Sequence, residues 1–273
     1  MPSIVIGSQL WSDMFGSAAM QALFTDQAMV QRYLDVEAAL AQAQAGLGII
    51  PVEAADAIIA AANADKIDWT RLAERTRIVG YPILPLIEQL AEWTPDGLGQ
   101  YCHWGATTQD IMDTADVLQM RDALDLVSAD LDAIAAALAK LAADHADTPM
   151  AGRTHLQHAL PISFGYKAAT WLSAIDRHRQ RLTELRPRLE VVSFAGAAGT
   201  LASLGKKNGL ATQAALAKQL NLAIPDITWH TIRDGFAEAT GWLALVAASI
   251  GKIGYDIMLM MQTETGEALE PFQ

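Results

Sequence analysis

At 273 residues, 52% of them hydrophobic and only 18% charged, the chain has apolar material for one large domain or two smaller ones and is too apolar for a disordered polymer. A formal net charge of −12, with no basic run interleaved with aromatics, excludes non-specific nucleic-acid binding, although Arg153, Lys206, Lys207 and Arg233 can still focus a local field on an anion. The single cysteine, Cys102, excludes an intramolecular disulfide and suits a reducing compartment.

Ala-rich segments dominate and β-branched alternation is scarce, so the expected fold class is all-α. Residues 1–15 lack a basic start followed by an apolar run; no secretory leader is expected, and the expected location is cytoplasmic. Residues 17–46 read as one helix stopped by Gly46 and Gly48, with Pro51 opening the next segment. Helical patterns follow over 52–63 and 68–79, then over 86–93 after a short apolar piece punctuated by Pro82 and Pro85. Thr94-Pro-Asp-Gly97 is a turn.

Two later segments are more regular. Val117, Met120, Leu124, Val127, Leu131, Ile134, Leu138 and Leu141 keep a 3-4-3-4 spacing without a slip, and Phe236, Ala239, Leu243, Val246, Ile250, Ile253, Ile257 and Met260 do the same. Such seams match bundle packing, and each helix is expected to run about 35–40 Å at 1.5 Å per residue. Alanines flank the first seam at 129, 133, 135, 136, 137 and 139, which permits neighbours on more than one side, including other subunits. Between the seams, a third long helix is expected over 161–186, opened by Pro161 and broken or kinked at Pro187. Residues 242–261 are nearly long enough to span a bilayer, but Lys252 and Asp256 interrupt them; a buried helix is expected, with no membrane partner. The expected division is a smaller helical N-terminal domain over 1–110 and a long central helical bundle over 111–273.

Several chemistries fail on spacing. The stretch from Gly199 to Lys207 resembles a phosphate loop but has five residues between its glycines where four are required, and Lys where Ser or Thr should follow the first Lys. His155 and His158 have no further His or Cys grouping to complete a closed site, so no metal is expected. Cys102 reads as a small buried apolar residue.

Two polar loops remain, each ahead of a long helix: His103-Trp-Gly-Ala-Thr-Thr-Gln-Asp110 and Gly152-Arg-Thr-His-Leu-Gln-His-Ala-Leu-Pro161. A helix N-terminus offers unpaired N–H groups and a positive dipole end, which suits a carboxylate. Thr107, Thr108 and Gln109 can hydrogen-bond one, and Thr154 and Gln157 another; Asp110 or Asp113 can cap the helix that follows. His155 can give or take a proton near neutrality. Such a set suits proton transfer α to a carboxylate, where the enzyme stabilises extra negative charge. Polar groups that merely satisfy buried turns are the plain alternative.

These residues resemble the first two signature regions of the fumarase/aspartase superfamily, carried by Gly105-Ala-Thr-Thr-Gln-Asp-Ile-Met-Asp-Thr-Ala115 and Gly152 to Pro161. The branch most similar is that of the 3-carboxy-cis,cis-muconate cycloisomerases, in whose style Tyr101-Cys-His-Trp, the stretch from Phe194 to Gly205, Trp229-His-Thr-Ile-Arg-Asp234 and the stretch from Met260 to Glu267 also read. The resemblance implies a homotetramer on a central helical bundle, with each active site assembled from loops of three subunits and no cofactor. It implies a reaction in which one carboxylate of the substrate attacks a double bond and an acid protonates the resulting carbanion. On this resemblance His155 is the general acid and His103 a second site histidine. Thr107, Thr108, Gln109, Arg153, Thr154 and Gln157 bind the polycarboxylate substrate. In relatives a third signature, Gly-Ser-Ser-x-Met-Pro-x-Lys-x-Asn-Pro, follows shortly after the stretch matching Glu267 to Phe272; the sequence stops at Gln273, which implies a bundle incomplete at its C-terminal end. Two other readings stand beside this one: a fumarate-releasing lyase such as an adenylosuccinate lyase, and a non-catalytic helical assembly protein. Gln109 and Leu156 modestly favour the cycloisomerase.

Overall fold

The computed structural model describes residues 8 and 10–271; the reading of residues 1–15 as lacking a secretory leader falls largely on 1–7 and 9, which, with the last two residues, lie outside the described residues. The chain is all-α apart from one small hairpin. Its elements are α1 (Ser12–Phe15), α2 (Ala18–Leu23), α3 (Asp26–Gly46), α4 (Val52–Ala61), α5 (Trp69–Val79), α6 (Ile83–Trp93), α7 (Thr108–Asp144), β1 (Pro149–Thr154), β2 (Gln157–Ser163), α8 (Phe164–Leu189), α9 (Gly205–Leu220) and α10 (Asp234–Met260).

Four boundaries differ from the sequence reading, each for a local reason. The helix expected over 17–46 is two: the chain leaves α2 at Phe24, and Thr25, in extended conformation, accepts from the Ala28 N–H to cap α3. Pro82 and Pro85 do not precede the next helix but fall at its cap and first turn, where a missing N–H costs nothing. The third long helix is not opened by Pro161 but starts at Phe164, and the segment before it is a hairpin rather than a loop. Pro161 pairs with Ala151 inside the antiparallel β1–β2 hairpin. Finally, α8 does not stop at Pro187 but continues through it to Leu189.

Two compact units result, and they are drawn differently from a division at residue 110. The first comprises Met1–Leu126 and Pro187–Arg233, the second Val127–Arg186 and Asp234–Gln273. In the first, α3 is buried on two faces. Tyr33, Leu34 and Ala41 join Ile58, Ile83, Leu86, Leu90 and Ile111 in one core, while Leu40 and Ala43 join Val192, Phe194, Leu204 and Leu216 in another. In the second, Leu131, Leu138, Ile175, Leu182, Leu185 and Val246 are buried. Polar pairs fix α8 on α10 there: the Trp171 indole N–H donates to Asp256 at 2.8 Å, and His178 Nε2 lies 2.8 Å from the Ser249 hydroxyl. Along α7 every member of the first 3-4 seam is buried or half-buried.

The expectation of a buried α10 is not met within this chain. The helix is long and apolar enough to cross a membrane, and only 11% of its most apolar window is covered. Ala239, Trp242, Val246 and Met260 are buried, while Leu245, Ile250, Tyr255, Ile257 and Met258 are exposed.

Candidate active site

The first unit gathers a polar cluster around the start of α7. Asp110 is fully buried, and its carboxylate accepts from four donors: the backbone N–H groups of Thr107 (3.0 Å), Ala195 (2.8 Å) and Gly196 (2.9 Å), and His230 through Nε2 (2.6 Å). The Thr107 bond is the back-reaching half of a capping box, in which an acidic side chain in the first turn satisfies the N–H of the residue before the helix. The other three tie the loops after α8 and α9 to the same point. One turn on, Asp113 receives a bidentate Arg233 (2.8 and 2.9 Å) and the Gln109 amide (2.7 Å). Thr114 and Ser193 exchange two hydrogen bonds beside them. Asp116 is held above the usual carboxylate range, first by burial and then by the charge of Asp113.

His103 is held from the opposite side by α3. Its backbone N–H donates to Glu37 Oε2 at 3.0 Å, and its Nδ1 lies 2.6 Å from Glu37 Oε1. Glu37 is 1% exposed. His103 itself is in the left-handed region (φ 59°), which for a non-glycine residue persists only where the surroundings impose it. Burial acts to lower its pKa, but the charge and hydrogen bond of Glu37, with a contribution from Asp110, outweigh that and raise it above the ordinary imidazole range. Two turns further along α3, the buried Gln44 amide donates to the Trp104 carbonyl at 2.6 Å. Gly105 completes the loop (φ 79°), since a Cβ there would meet Leu204 Cγ at 2.6 Å. Among the described residues, no protein partner meets the hydroxyls of Thr107 and Thr108 or the Nε2 of His103.

Cys102, beside this loop, is half-buried rather than buried as expected. Burial, then the nearby Glu37 charge, pushes its thiol up to about 12.

The second polar stretch belongs to the second unit. Thr154 pairs with Gln157, leaving His155 and Leu156 as a two-residue turn with φ of 49° and 61°. Two consecutive positive φ values are those of a type I′ hairpin turn. The register slips between Ala151 and Arg153, so that Ala159 and Leu160 oppose Gly152 alone. A Cβ on Gly152 would meet the Leu160 carbonyl at 2.6 Å. Thr154, His155, Gln157 and His158 are all exposed at this tip. Arg153 is engaged: both terminal nitrogens bind Glu267, at 2.7 and 2.8 Å. An anion must displace that carboxylate to reach it.

The candidate residues thus divide evenly. His103, Thr107, Thr108 and Gln109 lie together in the first unit, Arg153, Thr154, His155 and Gln157 together in the second. Reasoning from sequence missed Glu37, His230 and the anchoring role of Asp110 and Asp113. A signal for Glu37 was present: with Gln44 it interrupts the apolar stripe of α3 formed by Val30, Tyr33, Leu34, Leu40 and Ala41.

A profile of the lyase family matches residues 16–272. A trans-aconitate decarboxylase from Mycosarcoma maydis is 48% identical over 100% of this chain and 55% of its own length. A solved fumarate lyase from Mesorhizobium sp. BNC1 is 58% identical with a TM-score of 0.88, over 92% of this chain and 59% of its own. The solved 3-carboxy-cis,cis-muconate lactonizing enzyme from Pseudomonas putida is 48% identical with a TM-score of 0.93, over 97% and 61%. The chain therefore spans between 55% and 61% of the length of these proteins.

Proposed function

Since this chain belongs to the lyase family, we propose that it acts as a cofactor-independent enzyme of the fumarase/aspartase superfamily, lactonising 3-carboxy-cis,cis-muconate in aromatic catabolism. The observation that carries the reading is the pair of polar stations, each presenting an imidazole beside hydroxyl or amide donors: His103 with Thr107 and Thr108, and His155 with Thr154 and Gln157. In the reaction a carboxylate oxygen of the substrate forms a C–O bond to one alkene carbon. The π electrons move to the neighbouring carbon, α to another carboxylate, which then takes a proton; no electrons are gained or lost overall. His155 at the hairpin tip supplies the proton, and His103, Thr107, Thr108, Gln109, Arg153, Thr154 and Gln157 bind the carboxylates that carry the developing charge. Because His155 is exposed within its own chain, the site is completed by neighbouring copies. A homotetramer in the cytoplasm, with shared active sites, follows from this reading.

The 58% identity to a fumarate lyase favours a second reading, elimination of fumarate from a substituted succinate. Ultraviolet assays separate the two: lactonisation removes the diene absorbance of 3-carboxymuconate, whereas elimination creates fumarate absorbance from adenylosuccinate. A third assay, carbon dioxide release from trans-aconitate, covers the decarboxylase likeness. Turnover of either of the last two substrates without turnover of the first overturns the proposal. With 3-carboxymuconate, His155→Asn is expected to lower kcat by roughly 10²–10⁴-fold, the range of one general acid.

A further inference from the structure

Behind His103 stands a carboxylate that the reaction as written does not use. Glu37 projects from the apolar stripe of α3, 1% exposed, in a helix face otherwise made of Tyr33, Leu34, Leu40 and Ala41. A buried carboxylate is costly, and replacing such a pair by apolar residues of similar volume is often neutral or stabilising. If the group served only to fasten the loop, the bond from the His103 backbone N–H to Oε2 at 3.0 Å would suffice. The second oxygen instead takes the ring, at 2.6 Å from Nδ1. With Nδ1 so held, Nε2 is left as the ring nitrogen without a protein partner among the described residues, and the hydroxyls of Thr107 and Thr108 on the same loop are likewise unpartnered there.

We propose that Glu37 is a positioning residue that fixes the His103 ring as a cation, so that its Nε2–H donates to one carboxylate of the substrate. The inference rests on the functional reading above, which places His103 against a polycarboxylate. The charged and titratable groups that face His103 fit the role. Glu37 contributes a negative charge from α3 and Asp110 another from the first turn of α7. His230 is bound to Asp110 at 2.6 Å, and the adjoining Cys102 thiol stays neutral. The two carboxylates together oppose the effect of burial and keep the imidazole charged. The cation is present below its raised pKa and lost as pH rises through it. Nδ1–H pointing at Glu37 also fixes the ring's orientation, as second partners of site histidines commonly do.

The test is a double-mutant cycle in the full chain with 3-carboxymuconate as substrate, paired with a proton NMR titration of the His103 ring, assigned by its absence in His103→Gln. Glu37→Gln keeps the shape and one accepting oxygen but removes the charge and the second acceptor. It is expected to raise KM roughly tenfold or more while changing kcat far less, because a charge-assisted contact to a carboxylate is made before the transition state as well as in it. The double variant is expected to be no worse than His103→Gln alone. The His103 titration midpoint is expected to fall in Glu37→Gln. An unchanged midpoint, or losses that simply add, overturns the proposal. If Glu37→Gln does not fold, the wild-type titration decides alone: a His103 midpoint at or below the free-imidazole range near about 6.5 overturns it. If the wild type does not turn over 3-carboxymuconate at all, the functional reading fails separately, and the midpoint shift still decides the role of Glu37.

Discussion

At the scale of single residues, Asp110 has the most demanding position in the first unit. It is fully buried, accepts three backbone N–H groups and one imidazole, and joins the segments carrying Thr107, Ala195–Gly196 and His230. Asp110→Ala leaves these donors unpaired in a dry site and is expected to cost about 3–5 kcal/mol, read from urea denaturation midpoints. Cys102, with its thiol near 12, is expected to resist iodoacetamide at pH 8 in the folded protein and to react only when denatured. His103 has a signed effect on stability. Its pKa is raised in the folded state, so the stability it adds is fully present below the unfolded value and is lost as pH climbs through the folded one. His103→Gln is therefore expected to flatten the decline in melting temperature across that window. How much of this was legible depends on the group. The polar run from His103 to Asp110 is visible in the sequence because so many hydrogen-bonding side chains precede a regular seam. Glu37 shows only as a polar break in an apolar stripe, and neither its role nor that of His230 is legible, because their partners lie 66 and 120 positions away along the chain.

Among the elements, the hairpin shows where local pattern fails. Pro149–Ser163 has no alternating β-branched residues, two prolines, and at its turn a His-Leu pair instead of the Asn-Gly that announces a type I′ turn. Periodicity could only read such a segment as loop. The strained turn is consistent with a site in which backbone conformation is dictated by what the side chain must present, since His155 occupies one of the two positive-φ positions. That gives a prediction separable from chemistry. Leu156→Asn, at the other position, is expected to stabilise the chain by about 1 kcal/mol, because Asn tolerates the left-handed region that Leu resists. Thermal melting of that variant, with unchanged secondary structure by circular dichroism, is the check. The break before α3 is the same lesson in a helix. Apolar residues run on through Phe24, so the stripe hides a boundary that Thr25 sets by capping. Where long seams decide, as in α7, sequence and structure coincide.

At the scale of the whole molecule the question is what covers α10. Its sequence keeps a strict 3-4 seam, a repeat of 3.5 residues, yet a straight α-helix has 3.6 residues per turn, so a seam of this kind drifts by about 20° per heptad around the helix. Burial along α10 is not set by that drift, since Met260 at the far end of the seam is buried like Ala239 and Val246, and the residues meeting α8 keep a seven-residue spacing. Near its start the seam residues Ala239 and Val246 are buried, while farther on Ile250 is 40% and Ile257 38% exposed, and Trp242, Ser249 and Asp256 make the contacts with α8. One helix thus presents two apolar lines, one used by its own chain and one left open with Leu245 and Met258 beside it. Lys252 and Asp256 pair with each other on this helix, and Lys167 joins them at 3.4 Å, an arrangement better suited to a bundle of helices than to lipid. Association of copies along the open line would bury the remaining two-fifths of each isoleucine there, worth roughly 1 kcal/mol apiece, repeated in every subunit. Ile250→Glu combined with Ile257→Glu is therefore expected to shift the proposed tetramer toward smaller species in light scattering. Activity is expected to fall with it, because in the proposed function the exposed His155 hairpin acts on a substrate enclosed by neighbouring copies. A variant that dissociates yet keeps full turnover would show instead that each chain carries a complete site.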